Sequence, residues 1–316
     1  MCMRFGFLCI LVLTGLSFHC NTGAQEAVTV LLSEDGGAYA EFAISLSDAL
    51  GPGGGAKAMA VRVTTLNTAK SEDLARGGHG QVVVAVGTPA MAAMARKPPN
   101  VPVLNVLVPR ASFRSLARTG PRTQDSKLFS AVFFDQPWAR QFSLIRHAVT
   151  GRRVGILLGK DSADLSASLQ VAARDAQMVA NIEMVAEEAD LLPALKRLLP
   201  NSDALLAVPD ATIYNRSNIA TILLTSYRAK VPLFGFSPSY VKAGALAAVY
   251  SQPWQIAHQV AEIIQNLPAG GGLPAPQSPR YFSVNVNPQV RLSLELSTED
   301  EAQLLQKLKQ LPDSAP

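Results

Sequence analysis

From Ala27 onward, short β-branched and aliphatic runs alternate with longer amphipathic or alanine-rich stretches, the pattern of a parallel sheet covered by helices. In the first half this pattern predicts strands over 28–32, 58–64, 82–86, 103–107 and 129–133, with helices over 39–50, 71–75, 89–95, 113–117 and 137–149. A second set opens after Thr150-Gly151-Arg152-Arg153. Its strands are predicted over 154–158, 182–184, 204–207, 233–236 and 245–249, and its helices over 163–177, 191–199, 218–228 and 253–267. The expected fold class is α/β: two Rossmann-like lobes, each a parallel sheet flanked by helices.

After the last of these helices comes PAGGGLPAPQSP at 268–279, a Pro/Gly-rich surface connection, and then another alternating run at 282–286. If that strand returns to one of the sheets, the chain crosses between the lobes more than once and leaves a hinge and a cleft. The organisation read this way is a leader at 1–24, a first lobe at 25–136, a second lobe at 137–250, and a C-terminal helix, linker and crossover segment at 251–316.

Composition fits this picture. The 316 residues are 48% hydrophobic and 16% charged, enough for an ordered protein of about two domains at roughly 150 residues each. The net charge of +4 comes from scattered Lys and Arg residues with no basic run, which excludes nucleic acid as the expected partner. At the N-terminus, Arg4, the apolar run 5–18 and the small residues Asn21-Thr22-Gly23-Ala24 have the form of a secretory signal cleaved before Gln25. A membrane anchor needs about 18–20 apolar residues, and this run stops at His19. Phe18 and His19 before Cys20 also argue against a lipoprotein signal. The expected product is periplasmic and does not span the membrane. Cys2, Cys9 and Cys20 all leave with the leader, which excludes thiol catalysis, disulfides and cysteine metal sites in the mature chain.

Parallel sheets bind ligands beyond the C-terminal ends of their strands, where loops and helix N-termini converge. The residues following each predicted strand are therefore the candidates: Ser33 with Glu34 and Asp35, Thr88 and Pro89 after Gly87, Arg110, Asp135, then Lys160, Asp161 and Ser162, Asp210 and Thr212, and Ser237 with Pro238. Hydroxyls, backbone donors and charges of both signs suit a small polar molecule, a zwitterion among others. Gly87-Thr88-Pro89, Ser162 and Ser237-Pro238 read equally as helix caps with Pro in the first turn. Tyr39, Phe134 and Trp138 read as core or rim.

Motifs for catalysis fail. In Gly235-Phe236-Ser237-Pro238-Ser239 a serine stands where a nucleophile elbow needs its second glycine, and Pro238 lacks the N–H that an oxyanion requires. No histidine pair has metal-ligand spacing, Gly159-Lys160-Asp161 lacks the pattern of a phosphate loop, and no GxGxxG occurs. No catalytic residue, metal or cofactor is expected.

The segment 203–245, with Asp210, Tyr214-Asn215-Arg216, Thr225, Tyr227 and the run LFGFSPSYVKAGA at 233–245, resembles the substrate-binding proteins of the uncharacterised and tryptophan-type ABC transport systems. In the first lobe the resemblance rests on strand order and the Gly87-Thr88-Pro89 turn. It implies a type I periplasmic binding protein fold, with Thr88 on the first-lobe side of the cleft and Asp210, Ser237 and Pro238 on the second-lobe rim. It also implies a solute-binding protein that closes on its ligand and presents it to an ABC permease. The alternative is an extracytoplasmic sensor that reports ligand to a signalling protein. Two stretches depart from the family pattern: Ala211-Thr212, and the turn Asp135-Gln136-Pro137.

Overall fold

The computed structural model describes residues 27–52, 58–69, 80–268, 270–297 and 299–311. The leader at 1–24, the predicted helix at 71–75 and His79 lie outside them.

The first sheet contains β1 (Ala27–Leu32), β2 (Ala60–Thr65), β3 (Gly80–Val86), β4 (Val103–Val108) and β5 (Phe129–Phe133). All pair in parallel, in the order β2-β1-β3-β4-β5. Alternation of side chains along each strand divides the core between two faces. Val28, Val30, Val84 and Val106 pack on α1 (Gly37–Leu50), while Leu31, Val83, Ala85 and Ala131 pack on α2 (Thr88–Arg96) and α3 (Arg110–Ala117). A short helix, α4 (Pro121–Gln124), leads into β5.

α5 (Trp138–Ala148) follows β5 but packs on the second sheet. That sheet takes β6 (Arg153–Leu158), α6 (Ser166–Asp175), β7 (Val179–Met184), α7 (Leu191–Leu198), β8 (Ala204–Leu206), α8 (Ile219–Arg228), β9 (Leu233–Gly235), α9 (Pro238–Ala243) and β10 (Ala247–Tyr250). α10 (Pro253–Gln265) then returns to the first lobe, where Ile256, Val260 and Ile264 complete the core against α1. Finally β11 (Ser283–Val286) adds antiparallel to β10, giving β11-β10-β9-β8-β6-β7, and α11 (Pro288–Ser293) and α12 (Glu301–Lys309) close the second lobe. The chain therefore crosses between lobes three times, near residues 134–137, 251–252 and 279–282.

The differences from expectation have local causes. Gln177, with φ 59, turns the chain after α6, so the helix ends at Asp175 and β7 begins at Val179, earlier than the apolar run suggests. α11 and α12 were not expected. They are short and capped by Asn287 and Asp300, whose side chains accept the first backbone N–H groups.

One buried polar network ties the three crossings together. Gln136 Nε2 donates to Ser251 Oγ at 2.8 Å, and Ser251 Oγ donates to the Tyr281 carbonyl at 2.6 Å. Arg140 donates to Gln136 Oε1 at 2.5 Å and to the Pro279 carbonyl at 3.0 Å, with its guanidinium 3.9 Å over the Phe282 ring. On α10, Gln259 donates to Gln277 Oε1 and the Ser278 carbonyl and accepts the Arg280 N–H. Gln136, Arg140, Ser251 and Gln259 are all buried. Because the first two crossings leave the C-terminal ends of β5 and β10, this network brings those ends of the two sheets together.

Candidate functional site

At the first-lobe end, Ser33 Oγ donates to the Val86 carbonyl at 2.7 Å and accepts the Ala90 N–H at 3.0 Å, so it caps α2 from the neighbouring strand. Gly87 makes this fit possible. Its φ is 87, and a Cβ there would stand 2.7 Å from both Ser33 Oγ and the Tyr39 ring. Thr88 is half-buried and Pro89 exposed at the start of α2. At the ends of β4 and β5, Asp135 Oδ2 accepts the Arg110 N–H at 2.5 Å, capping α3. Burial pushes the Asp135 carboxyl up, while the Arg110 N–H and guanidinium pull it back. The guanidinium itself donates to Ser278 Oγ at 2.7 Å.

In the second lobe, Ser162 and Asp210 are both buried and bonded to each other, Ser162 Oγ donating to Asp210 Oδ2 at 2.8 Å. Ser162 Oγ also accepts the Gly159 N–H, and Asp210 Oδ1 accepts the Thr212 N–H at 3.0 Å. The result is a staple between the loops after β6 and β8. Asp161 is exposed, and Thr212, Ser237 and Pro238 are half-buried. Ser237 stands at the cap of α9 without using its hydroxyl for that purpose.

Beside the staple is an aromatic group that sequence reading did not assemble. Phe236 and Tyr240 pack with ring centroids 4.5 Å apart and planes tilted by 48°, and each ring lies 6.3 Å from the Tyr214 ring. Gly235 admits Tyr240, since a Cβ there would be 2.4 Å from Tyr240 Cβ. The buried Tyr214 hydroxyl has no hydrogen-bond partner among the described residues, and burial, with Tyr240 and Asp210 nearby, raises its pKa. Burial pushes the Tyr240 hydroxyl up to about 12. Tyr214, Phe236 and Tyr240 each follow a strand, and that position was the available signal. Gly244, with φ 122 and only Leu223 within 4.0 Å of its missing Cβ, is a helix-ending glycine.

The structure thus gathers the strand-end candidates at two rims: Ser33, Thr88, Pro89 and Asp135 on one, Asp161, Ser162, Asp210, Thr212, Ser237 and Pro238 on the other. Trp138 packs into the second-lobe core, and Phe134 is 38% exposed at the first crossing. Two surface hollows lie elsewhere, of about 630 Å³ beside Lys196, Asp203 and Arg228, and about 590 Å³ beside Glu262 and Arg280. Neither collects strand-end residues. Among the described residues no group of three or more His, Cys, Asp or Glu could hold a metal, and no helix is long and apolar enough to cross a membrane.

Comparison with known proteins agrees with this architecture. The chain is similar to the L-Trp complex of an ABC domain from Streptococcus pneumonia (15% identity, 90% of this chain and 98% of that one, TM-score 0.57). It is also similar to the ligand-free, open substrate-binding protein with adhesive properties from Clostridium difficile (12% identity, 87% and 96%, TM-score 0.63). A third similar structure is the Leu complex of a substrate-binding protein from Desulfitobacterium hafniense (13% identity, 75% and 82%, TM-score 0.51). At these identities the likeness establishes the fold, that of the type I periplasmic binding proteins. No curated protein sequence matches. The sequence pattern of one family, described as ABC transporter substrate binding protein, matches residues 69–301. The chain belongs to the ABC transporter substrate-binding protein family.

Proposed function

We propose that the protein captures a small polar solute in the gap between its lobes, closes on it by rotation at the three crossings, and presents it outside the cytoplasm to an ABC permease. The observation that carries this reading is the Gln136–Ser251 hydrogen bond. It joins the crossings that leave β5 and β10, so the C-terminal ends of both sheets open onto one gap. Half-buried Thr88, Thr212 and Ser237 supply hydroxyls on its two rims, and backbone N–H groups add donors. Binding is the whole mechanism, with no bond made or broken. The amino acids bound by the Streptococcus and Desulfitobacterium proteins make amino acids the first class to try.

A thermal-shift screen of the purified protein against amino acids, nucleosides, sugars, polyamines and small organic acids tests this reading. A solute that binds only the folded state raises Tm, and at about 100 times its Kd adds about 2.7 kcal/mol. The reading predicts at least one hit, weakened by Thr88→Val or Ser237→Ala. A library without a hit, in protein that melts cooperatively, contradicts it.

A further inference from the structure

Arg110 is held in an unusual way for a rim residue. Its backbone N–H is taken by Asp135 Oδ2, and its guanidinium lies 4.4 Å over the Phe133 ring, with one hydrogen bond, to Ser278 Oγ, among the described residues. A guanidinium has five N–H donors in one plane. Stacking uses its face and Ser278 uses one edge position, so most of its donor fork is unspent. Desolvation lowers the pKa of the cation, Arg114 lowers it further, and Asp135 only partly offsets them. A partly dehydrated guanidinium with a free fork favours an oxyanion, which it can meet with two parallel hydrogen bonds.

We propose that the solute carries an oxyanion, a carboxylate or a phosphate, and that Arg110 receives it. This rests on the reading of the gap as a solute site and names the chemistry of its ligand. Arg110 stands at the end of β4, beside the edge strand β5, whose Phe133 ring its guanidinium covers. Its partner Ser278 adjoins Pro279, whose carbonyl Arg140 holds at the third crossing. The anion therefore lies toward the hinge, where closure removes water and strengthens the pairing. On the facing rim Asp210, an acid that would repel an anion, is buried with its oxygens given to Ser162 and Thr212.

The experiment adds matched pairs to the thermal-shift screen: L-leucine with leucinamide, succinate with succinamide, and glucose 6-phosphate with glucose. Each pair differs at the oxyanion, and which pair responds separates carboxylate from phosphate. The expected result is a Tm rise for the oxyanion member of at least one pair and little for its neutral partner. Arg110→Gln should weaken that binding about tenfold or more, Arg110→Lys should retain part of it, and Ser278→Ala should retain most. If Arg110→Gln does not fold, Arg110→Lys decides by weakening the oxyanion member alone. Equal binding of both members, or a neutral solute as the only hit, overturns the oxyanion assignment and leaves the solute site standing, as does unchanged oxyanion binding in Arg110→Gln. No hit in the pairs or in the wider screen overturns both.

Discussion

Ser162 Oγ lies 2.8 Å from Asp210 Oδ2, across 48 residues of sequence, and both side chains are buried. Two residues that each read as a ligand contact are thus bonded to each other, and Gly159 lies tight against them. Removing the hydroxyl in Ser162→Ala leaves a buried carboxylate oxygen short of a donor. The expected loss is about 1–3 kcal/mol in denaturant unfolding, with the m value unchanged.

Gly159→Ala attacks the same staple from the backbone. The added Cβ would stand 2.5 Å from Asp210 Oδ1, so the carboxylate must move and give up hydrogen bonds. A loss of about 2 kcal/mol is expected. Combining it with Ser162→Ala should cost less than the sum, because both changes spend the same contact.

The hinge network makes a different forecast. Arg140→Met removes the donor to Gln136 Oε1 and to the Pro279 carbonyl, leaving two buried acceptors unpaired. Stability should fall by about 2–4 kcal/mol. Small-angle scattering should also report a wider spread of lobe separations than in the parent. Equal loss of stability with an unchanged scattering profile would make Arg140 a core residue without a hinge role.

Two carboxylates should respond to pH with opposite sign. Hydrogen bonds from the Arg153 side chain hold the Asp203 carboxyl below its ordinary value. Its contribution is therefore present above the unfolded value, about 3.9, and is lost as pH falls through the lower folded value. Asp203→Asn should lower Tm at pH 7, and the difference from the parent should shrink in acid. Burial holds the Asp135 carboxyl above its ordinary value, so ionisation costs the folded state stability as pH rises. Asp135→Asn keeps an oxygen for the Arg110 N–H, and its Tm at pH 7 should equal or exceed the parent's. A larger drop for Asp135→Asn than for Asp203→Asn would reverse the assignment.

The fold was legible where burial made the pattern simple. All six residues of β4 are buried, and that run reads as a strand without help from its neighbours. β7, at the edge of its sheet, is mostly half-exposed and its start was missed. The strand-end loops were also legible, because ligand sites in parallel sheets follow strand ends. What each side chain does there was not. Whether Ser33 caps α2 or Asp210 braces a loop depends on partners 57 and 48 residues away. The hinge was the least legible part, since Gln136, Arg140 and Gln259 are polar residues that read as surface positions. Their one local signal is spacing, with Gln136 and Arg140 four residues apart, as are Gln255 and Gln259 on α10.

The most direct test of solute capture by closure is a distance across the mouth of the gap. Asp35 and Lys160 are exposed beyond β1 and β6, one on each lobe, and the described residues contain no cysteine, so Asp35→Cys and Lys160→Cys can carry a pair of spin labels. With a solute from the screen, the account predicts that the distance distribution shifts to shorter values and narrows, and returns when the solute is dialysed away. An unchanged distribution, at a solute concentration that fully raises Tm, would contradict closure on a ligand between the lobes.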